Sequence, residues 1–150
     1  MKRFRFRLES IRALRDVAER KAREGFGLAQ QQVRLAQQAI EAAEVRRSEL
    51  NAAISSARTG SFRPSEQVSG LAALGQADRE VAEAGRKLGE VEKARDQALE
   101  GWLNARRALQ VMQKLEERAR LAHREASDKA EQTLLDEIAS MTLARLGPLA

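Results

Sequence analysis

The 150-residue chain has no cysteine and no tyrosine, one tryptophan, one histidine and two prolines. Without cysteine there is no disulfide framework and no thiolate metal site, and the composition fits a reducing compartment. Four phenylalanines and Trp102 make up the 3% aromatic content. Large aromatic side chains supply much of a globular core and of its pockets. Their scarcity argues against a compact catalytic domain with an enclosed active site. No run of 18 apolar residues occurs, so no membrane span is expected. The basic start lacks an apolar signal core, so no secretory signal is read. What the chain does contain is Ala, Glu, Lys, Leu, Arg and Gln, with 33% charged residues. That is the composition of long helices and coiled coils.

The net charge of +5 is unevenly placed. Residues 1–23 hold nine Lys/Arg against three acids, and residues 106–124 hold six against two. Residues 125–150 reverse the balance, with two bases against five acids. Two basic segments far apart in sequence merge into one patch of +10 if the chain doubles back. Such a patch steers an acidic partner, although charged helix faces also serve plain solubility.

Prolines are absent before Pro64 and between Pro64 and Pro148. The cluster Thr59-Gly60-Ser61-Phe62-Arg63-Pro64-Ser65 is the one dense helix breaker. It divides the chain into helices at about 8–58 and 66–146, joined by a turn at about 59–65. In the second run, Leu74, Val81, Leu88, Arg95, Trp102, Leu109, Glu116, His123 and Ala130 form one seven-residue series. Ala77, Ala84, Val91, Ala98, Ala105, Met112, Ala119, Ala126 and Thr133 form the other. A sustained seven-residue repeat predicts a left-handed coiled coil. The first run opens on Ile11, Leu14, Ala18, Gly25, Leu28 and Leu35, then moves to Val33, Ala36, Ile40, Ala43, Leu50 and Ile54. That change of register reads as a stutter in the first helix.

A short connection makes the helices antiparallel neighbours. The expected fold is therefore all-α: an antiparallel, left-handed coiled-coil hairpin with a longer second helix, one domain over residues 1–150. Residues whose numbers sum to about 126 then face each other, Leu14 against Met112 and Ile11 against Leu115. Gly25 falls beside Trp102, so it either makes room for the indole or marks a local bend in the helix. The second helix outruns the first by roughly 20–25 residues, or about 30–40 Å. This overhang carries Leu134, Leu135, Ile138, Met141, Leu143 and Leu146. A lone helix cannot bury such a stripe, so it frays, folds back or meets another protein. Gly147-Pro148 is a helix stop. The state of residues 1–7 stays open, because Phe-Arg-Phe-Arg-Leu alternates like a strand.

Catalytic and cofactor motifs are missing. Gly70-Leu-Ala-Ala-Leu-Gly75 lacks the lysine of a phosphate-binding loop. Gly85-x-x-x-Gly89 has the spacing of a membrane dimer motif, but Arg86 and Lys87 interrupt it. His123, alone and without cysteine, supports neither a metal site nor a nucleophile system. No enzyme, cofactor, metal or small-molecule substrate is expected. Arg3, Arg5, Arg7, Arg12 and Arg15 with Phe4 and Phe6 allow a nucleic-acid reading, which the absence of a recognised binding motif disfavours.

Met1-Lys-Arg-Phe4-Arg-Phe6-Arg-Leu8-Glu-Ser-Ile11-Arg-Ala-Leu14-Arg15, with Glu19 and Ala22, resembles the start of the flagellar export protein FliJ family. Trp102, Arg106-Arg107-Ala-Leu109 and Lys114-Leu115-Glu116-Glu117-Arg118 are similar to its basic stretch, and Gln132 with Leu135-Asp136-Glu137-Ile138-Ala139 to its terminal signature. Related stalk proteins of injectisome type III secretion share the shape, and Val68, Leu71 and Leu74 depart from the larger residues expected at the hairpin tip. The resemblance implies a non-enzymatic coiled coil in the central pore of the hexameric export ATPase. It also implies contact with the membrane-embedded export gate and escort of export chaperones. Such a protein is cytoplasmic, peripheral to the membrane at the flagellar base, and serves motility and chemotaxis. On this reading the basal contacts are Arg5, Arg7, Arg12, Arg15, Arg106, Arg107 and Arg118. The overhang contacts are Leu134, Leu135, Ile138 and Met141, and the tip candidates are Leu50, Ile54, Val68, Leu71 and Leu74. A nucleic-acid-binding coiled coil and a self-assembling one are the competing readings.

Overall fold

A computed structural model describes residues 3–61 and 63–147. Phe62 of the breaker cluster and Pro148 of the helix stop lie outside the described residues. Two helices account for nearly all of the rest: α1, Glu9–Arg58, and α2, Pro64–Leu146. The described residues contain no strand.

The helix ends follow from local chemistry. Glu9 lies in the first turn of α1 and Arg58 in its last, each matched to the partial charge of its terminus. After Arg58 the chain tightens: the Thr59 and Gly60 amides donate to the Ser56 and Ala57 carbonyls, at 3.3 and 3.4 Å. The Thr59 hydroxyl also donates to the Ser56 carbonyl at 2.8 Å. α2 opens on Pro64, whose missing amide hydrogen costs nothing at a first helical position. The Arg63 carbonyl accepts from the Glu66 and Gln67 amides. At the other end Gly147 has φ 65°, the left-handed conformation that closes helices and favours glycine.

The two long helices pack against each other. By its contacts the chain divides into a central unit, Arg20–Asn104, and a terminal unit, Met1–Glu19 with Ala105–Ala150. In the central unit, Phe26 stacks on Trp102, with ring centroids 5.5 Å apart and planes 18° from parallel. Ile40 approaches Gly85 and Ile54 approaches Gly70. Positions rise along α1 as they fall along α2, so the helices are antiparallel there. Val33, Ala36, Ala43 and Ala77 are buried. Arg46 pairs with Glu80 and Arg47 with Asp78, both at 3.8 Å. In the terminal unit Phe4 meets His123 and Arg12 lies beside Glu116, again antiparallel, and the buried apolar residues are Leu109 and Met112.

The first-helix register differs from the expectation. Ile11, Leu14, Ala18, Gly25, Leu28 and Leu35 are all exposed, with Leu14 at 69%. The residues turned inward are Arg12, Glu19, Phe26, Val33, Ile40 and Ile54, seven or fourteen apart, alternating with Ala22, Ala29, Ala36, Ala43 and Leu50. The series from Arg12 to Ile54 keeps its spacing along α1, with Asp16 rather than Arg15 half-buried ahead of Ala22, and no shift occurs where the leucines give way to Val33. Apolar content misleads near the N-terminus because the facing positions on α2 include Glu116 and His123, which are met by polar and aromatic groups. The expected Leu14–Met112 pairing fails for that reason. The break in register lies in α2 instead. Its half-buried residues Glu116, Ala119, His123 and Ser127 are spaced by three, four and four, and Ala126 is exposed.

Gly25 is not the partner of the indole either; Phe26 is. A Cβ at Gly25 would meet nothing within 4 Å. Gly25→Ala therefore recovers helix propensity without a clash, and should stabilise the chain by about 1 kcal/mol. Thermal unfolding of the variant measures this, and a loss of stability would contradict the open surroundings. Gly70 is the glycine with a packing reason, since a Cβ there would lie 3.2 Å from Cγ1 of Ile54.

Candidate interaction surfaces

The N-terminal arm is not helical before Glu9. Phe4 and Phe6 are half-buried while Arg3, Arg5 and Arg7 are exposed, the alternation of an extended segment lying on a surface. Phe4 meets His123 edge-on, with centroids 5.5 Å apart. The Arg120 guanidinium sits 5.3 Å from the centre of the Phe4 ring, a cation–π contact. The Phe6 carbonyl accepts from the Glu9 amide at 3.3 Å, and the Leu8 carbonyl from the Arg12 amide at 2.9 Å. The arm thus runs straight into the first turn of α1.

Charge ties the first turn of α1 to α2. Arg12 donates to Glu9 at 3.0 Å. Its buried Nε lies 3.2 Å from Oε2 of Glu116, a charge contact without hydrogen-bond alignment. The other Glu116 oxygen accepts from Arg120 at 2.9 Å. Glu116 has a side chain only 15% exposed, so its charge requires these cations. The Arg12 guanidinium is held above its ordinary pKa, first by the Glu9 hydrogen bond and then by the charge of Glu116. Arg120 belongs to both the aromatic contact and the ion pair. A line of contacts therefore runs Phe4, Arg120, Glu116, Arg12, Glu9, and the sequence pattern did not reveal it. On the arm's side of α2 this leaves an open groove lined by Phe6, Ser10, Ala13 and Glu116.

The expected basal residues all fall in the terminal unit. Arg5, Arg7, Arg15, Arg106, Arg107 and Arg118 are exposed, whereas Arg12 is half-buried and engaged within the chain. The overhang residues Leu134, Leu135, Ile138 and Met141 belong to the same unit and are exposed. Every described residue after Ser127 is exposed. The tip candidates lie in the central unit. Val68 and Leu71 are exposed there, but Leu50, Ile54 and Leu74 are half-buried between the helices. The structure also shows apolar residues on the outer side of α1 that were expected inside. Ile11 and Leu14 lie there in the terminal unit, and Leu28 and Leu35 in the central unit.

Among the described residues no helix is long and apolar enough to cross a membrane, and no group of three or more His, Asp or Glu is placed to hold a metal ion. The family description of the flagellar FliJ protein matches residues 4–147, from Phe4 of the arm to the Gly147 helix stop. The chain belongs to the FliJ family. It is accordingly a protein of flagellar protein export, a type III secretion process, and no enzymatic family is indicated. No curated protein and no solved structure matches it significantly. The FliJ match takes in the arm from Phe4, both helices and the apolar overhang.

Proposed function

We propose that this FliJ-family chain acts as one hairpin domain, a stalk in the ring of the hexameric export ATPase. In this role it links the ring to the membrane export gate and to export chaperones, at the cytoplasmic face of the flagellar base. The observation that carries the reading is the terminal unit. Exposed arginines on the arm and on α2 lie in the same unit as a helix end whose apolar residues have no partner within the chain. Charge of one sign accelerates encounter with an acidic ring, and the apolar side chains supply short-range affinity. Val68 and Leu71, exposed beside the turn, are the tip positions that suit a gate contact. The binding face of the stalk comprises Arg5, Arg7, Arg15, Arg106, Arg107 and Arg118, with Arg12 holding the arm in place.

Nucleic acid is the weaker reading, because Phe4 and Phe6 are half-buried along α2 and so do not form a free stacking platform. The test is stimulation of the flagellar export ATPase by the full chain. Reversing Arg5, Arg7, Arg106 and Arg118 to glutamate should reduce stimulation about tenfold at low salt, with a smaller loss at high salt. Equal stimulation by both proteins would overturn the basal contact, and none by the native chain would overturn the stalk role.

A further inference from the structure

The overhang is the inner face of α2 continued past its partner. After the break in register, Ser127, Glu131, Leu134, Ile138, Met141 and Arg145 follow at steps of four, three, four, three and four. That is an unbroken seven-residue repeat, continuous with the half-buried face that runs past His123, under Phe4, and ends at Ser127. Leu135 widens the stripe. The face that α1 and the arm cover up to His123 therefore carries on, exposed, for about five further turns.

Its charge is not that of the rest of the base. Glu131 lies on the stripe itself, Asp128 precedes Leu135 by seven residues on one border, and Glu137 precedes Met141 by four on the other. Within the described residues none of these three carboxylates has a hydrogen bond or ion pair in the chain. All three are exposed. A partner that buries the leucines must face these charges at close range, where like charge repels and opposite charge is favoured. A second copy of this chain fits poorly. Two overhangs laid antiparallel about Leu134 and Ile138 bring Glu137 against its own counterpart.

We propose that the overhang docks an amphipathic helix of another protein, one whose apolar stripe is bordered by Lys or Arg over 128–137. Arg145, four residues beyond Met141, ends the stripe with the opposite sign and sets its polarity: the partner is basic at the Asp128 end and neutral or acidic at the Arg145 end. The proposal rests on reading the overhang as a docking segment, as the stalk role does, but not on the identity of the ATPase.

Full-length chain would be titrated, at low salt, with two synthetic helical peptides. They share a Leu/Ile seven-residue repeat, and their bordering positions are Lys in one and Glu in the other. The Lys peptide should bind at least tenfold more tightly. The Glu131→Lys/Glu137→Lys chain, which alters only exposed positions and whose helicity is checked by circular dichroism, should reverse the preference. Ile138→Asp should abolish binding of both. Equal affinity for the two peptides, binding of neither, or a native dimer that Ile138→Asp dissociates would each overturn the proposal. A Lys-peptide preference in a chain that fails to stimulate the ATPase would uphold the docking chemistry and reject the stalk role.

Discussion

Leu109→Asp should lower the thermal unfolding midpoint by roughly 8–16 °C, while Leu14→Asp leaves it nearly unchanged. Leu109 is buried on the inner face of α2, and Leu14 is 69% exposed. Removing a buried leucine from water-free packing costs about 2 kcal/mol. Leaving a carboxylate in its place costs about 2 kcal/mol more, even with partial access to water. A total near 4 kcal/mol translates into the stated shift at about 2–4 °C per kcal/mol for a chain of this size. An exposed substitution stays within about 0.5 kcal/mol. The pair of variants also decides the register of α1. Comparable losses from Leu14→Asp and Leu109→Asp would return Leu14 to the interface and remove the single register through Arg12, Glu19 and Phe26.

That register marks the boundary of what could be read from the residues. The two helices, the breaker between them and both seven-residue series of α2 were legible. In α2 up to Met112 the inward positions are mostly apolar or alanine and most charged residues lie outward, so pattern and packing agree there. In α1 they disagree over the first 30 residues. The inner positions there carry Arg12, Asp16, Glu19 and Ala22, and the leucines face out. Counting apolar residues cannot find a face held by Arg12 against Glu116, because its stabilisation comes from matched charge across two helices. Only the antiparallel pairing brings those residues together. The register break at Ser127 was missed for a related reason. Ala119 and Ala126 continue the first spacing in sequence, and nothing in an alanine tells which side of a helix it occupies.

The candidate surfaces were legible in the same uneven way. The unpartnered apolar residues beyond Ala130 were visible as soon as the helix lengths were compared. The basic residues of both segments were visible by counting. Their division of labour was not: Arg12 and Arg120 hold the arm and α1 to α2, while Arg5, Arg7, Arg106 and Arg118 remain outward. A mutational scan that treats all basal arginines alike will therefore mix two effects. Loss of Arg12 acts on stability through Glu116, and loss of Arg106 acts on encounter with a partner.

Trp102→Ala should destabilise the chain by about 2–3 kcal/mol. Truncating a fully buried tryptophan costs about 3–5 kcal/mol, and Trp102 is half-buried. Its indole stacks on Phe26 at 5.5 Å between centroids, a geometry that adds about 1 kcal/mol beyond buried area. A double-mutant cycle separates the two contributions. Phe26→Leu, Trp102→Leu and the double variant, compared by thermal unfolding, should show a coupling near 1 kcal/mol. Coupling below about 0.3 kcal/mol would mean that the rings only share the interface. Trp102 is the only tryptophan, so all indole fluorescence comes from this site. Phe26→Leu should shift the emission to longer wavelength as water reaches the indole face, whereas Gly25→Ala, one residue earlier and turned outward, should leave the emission unchanged.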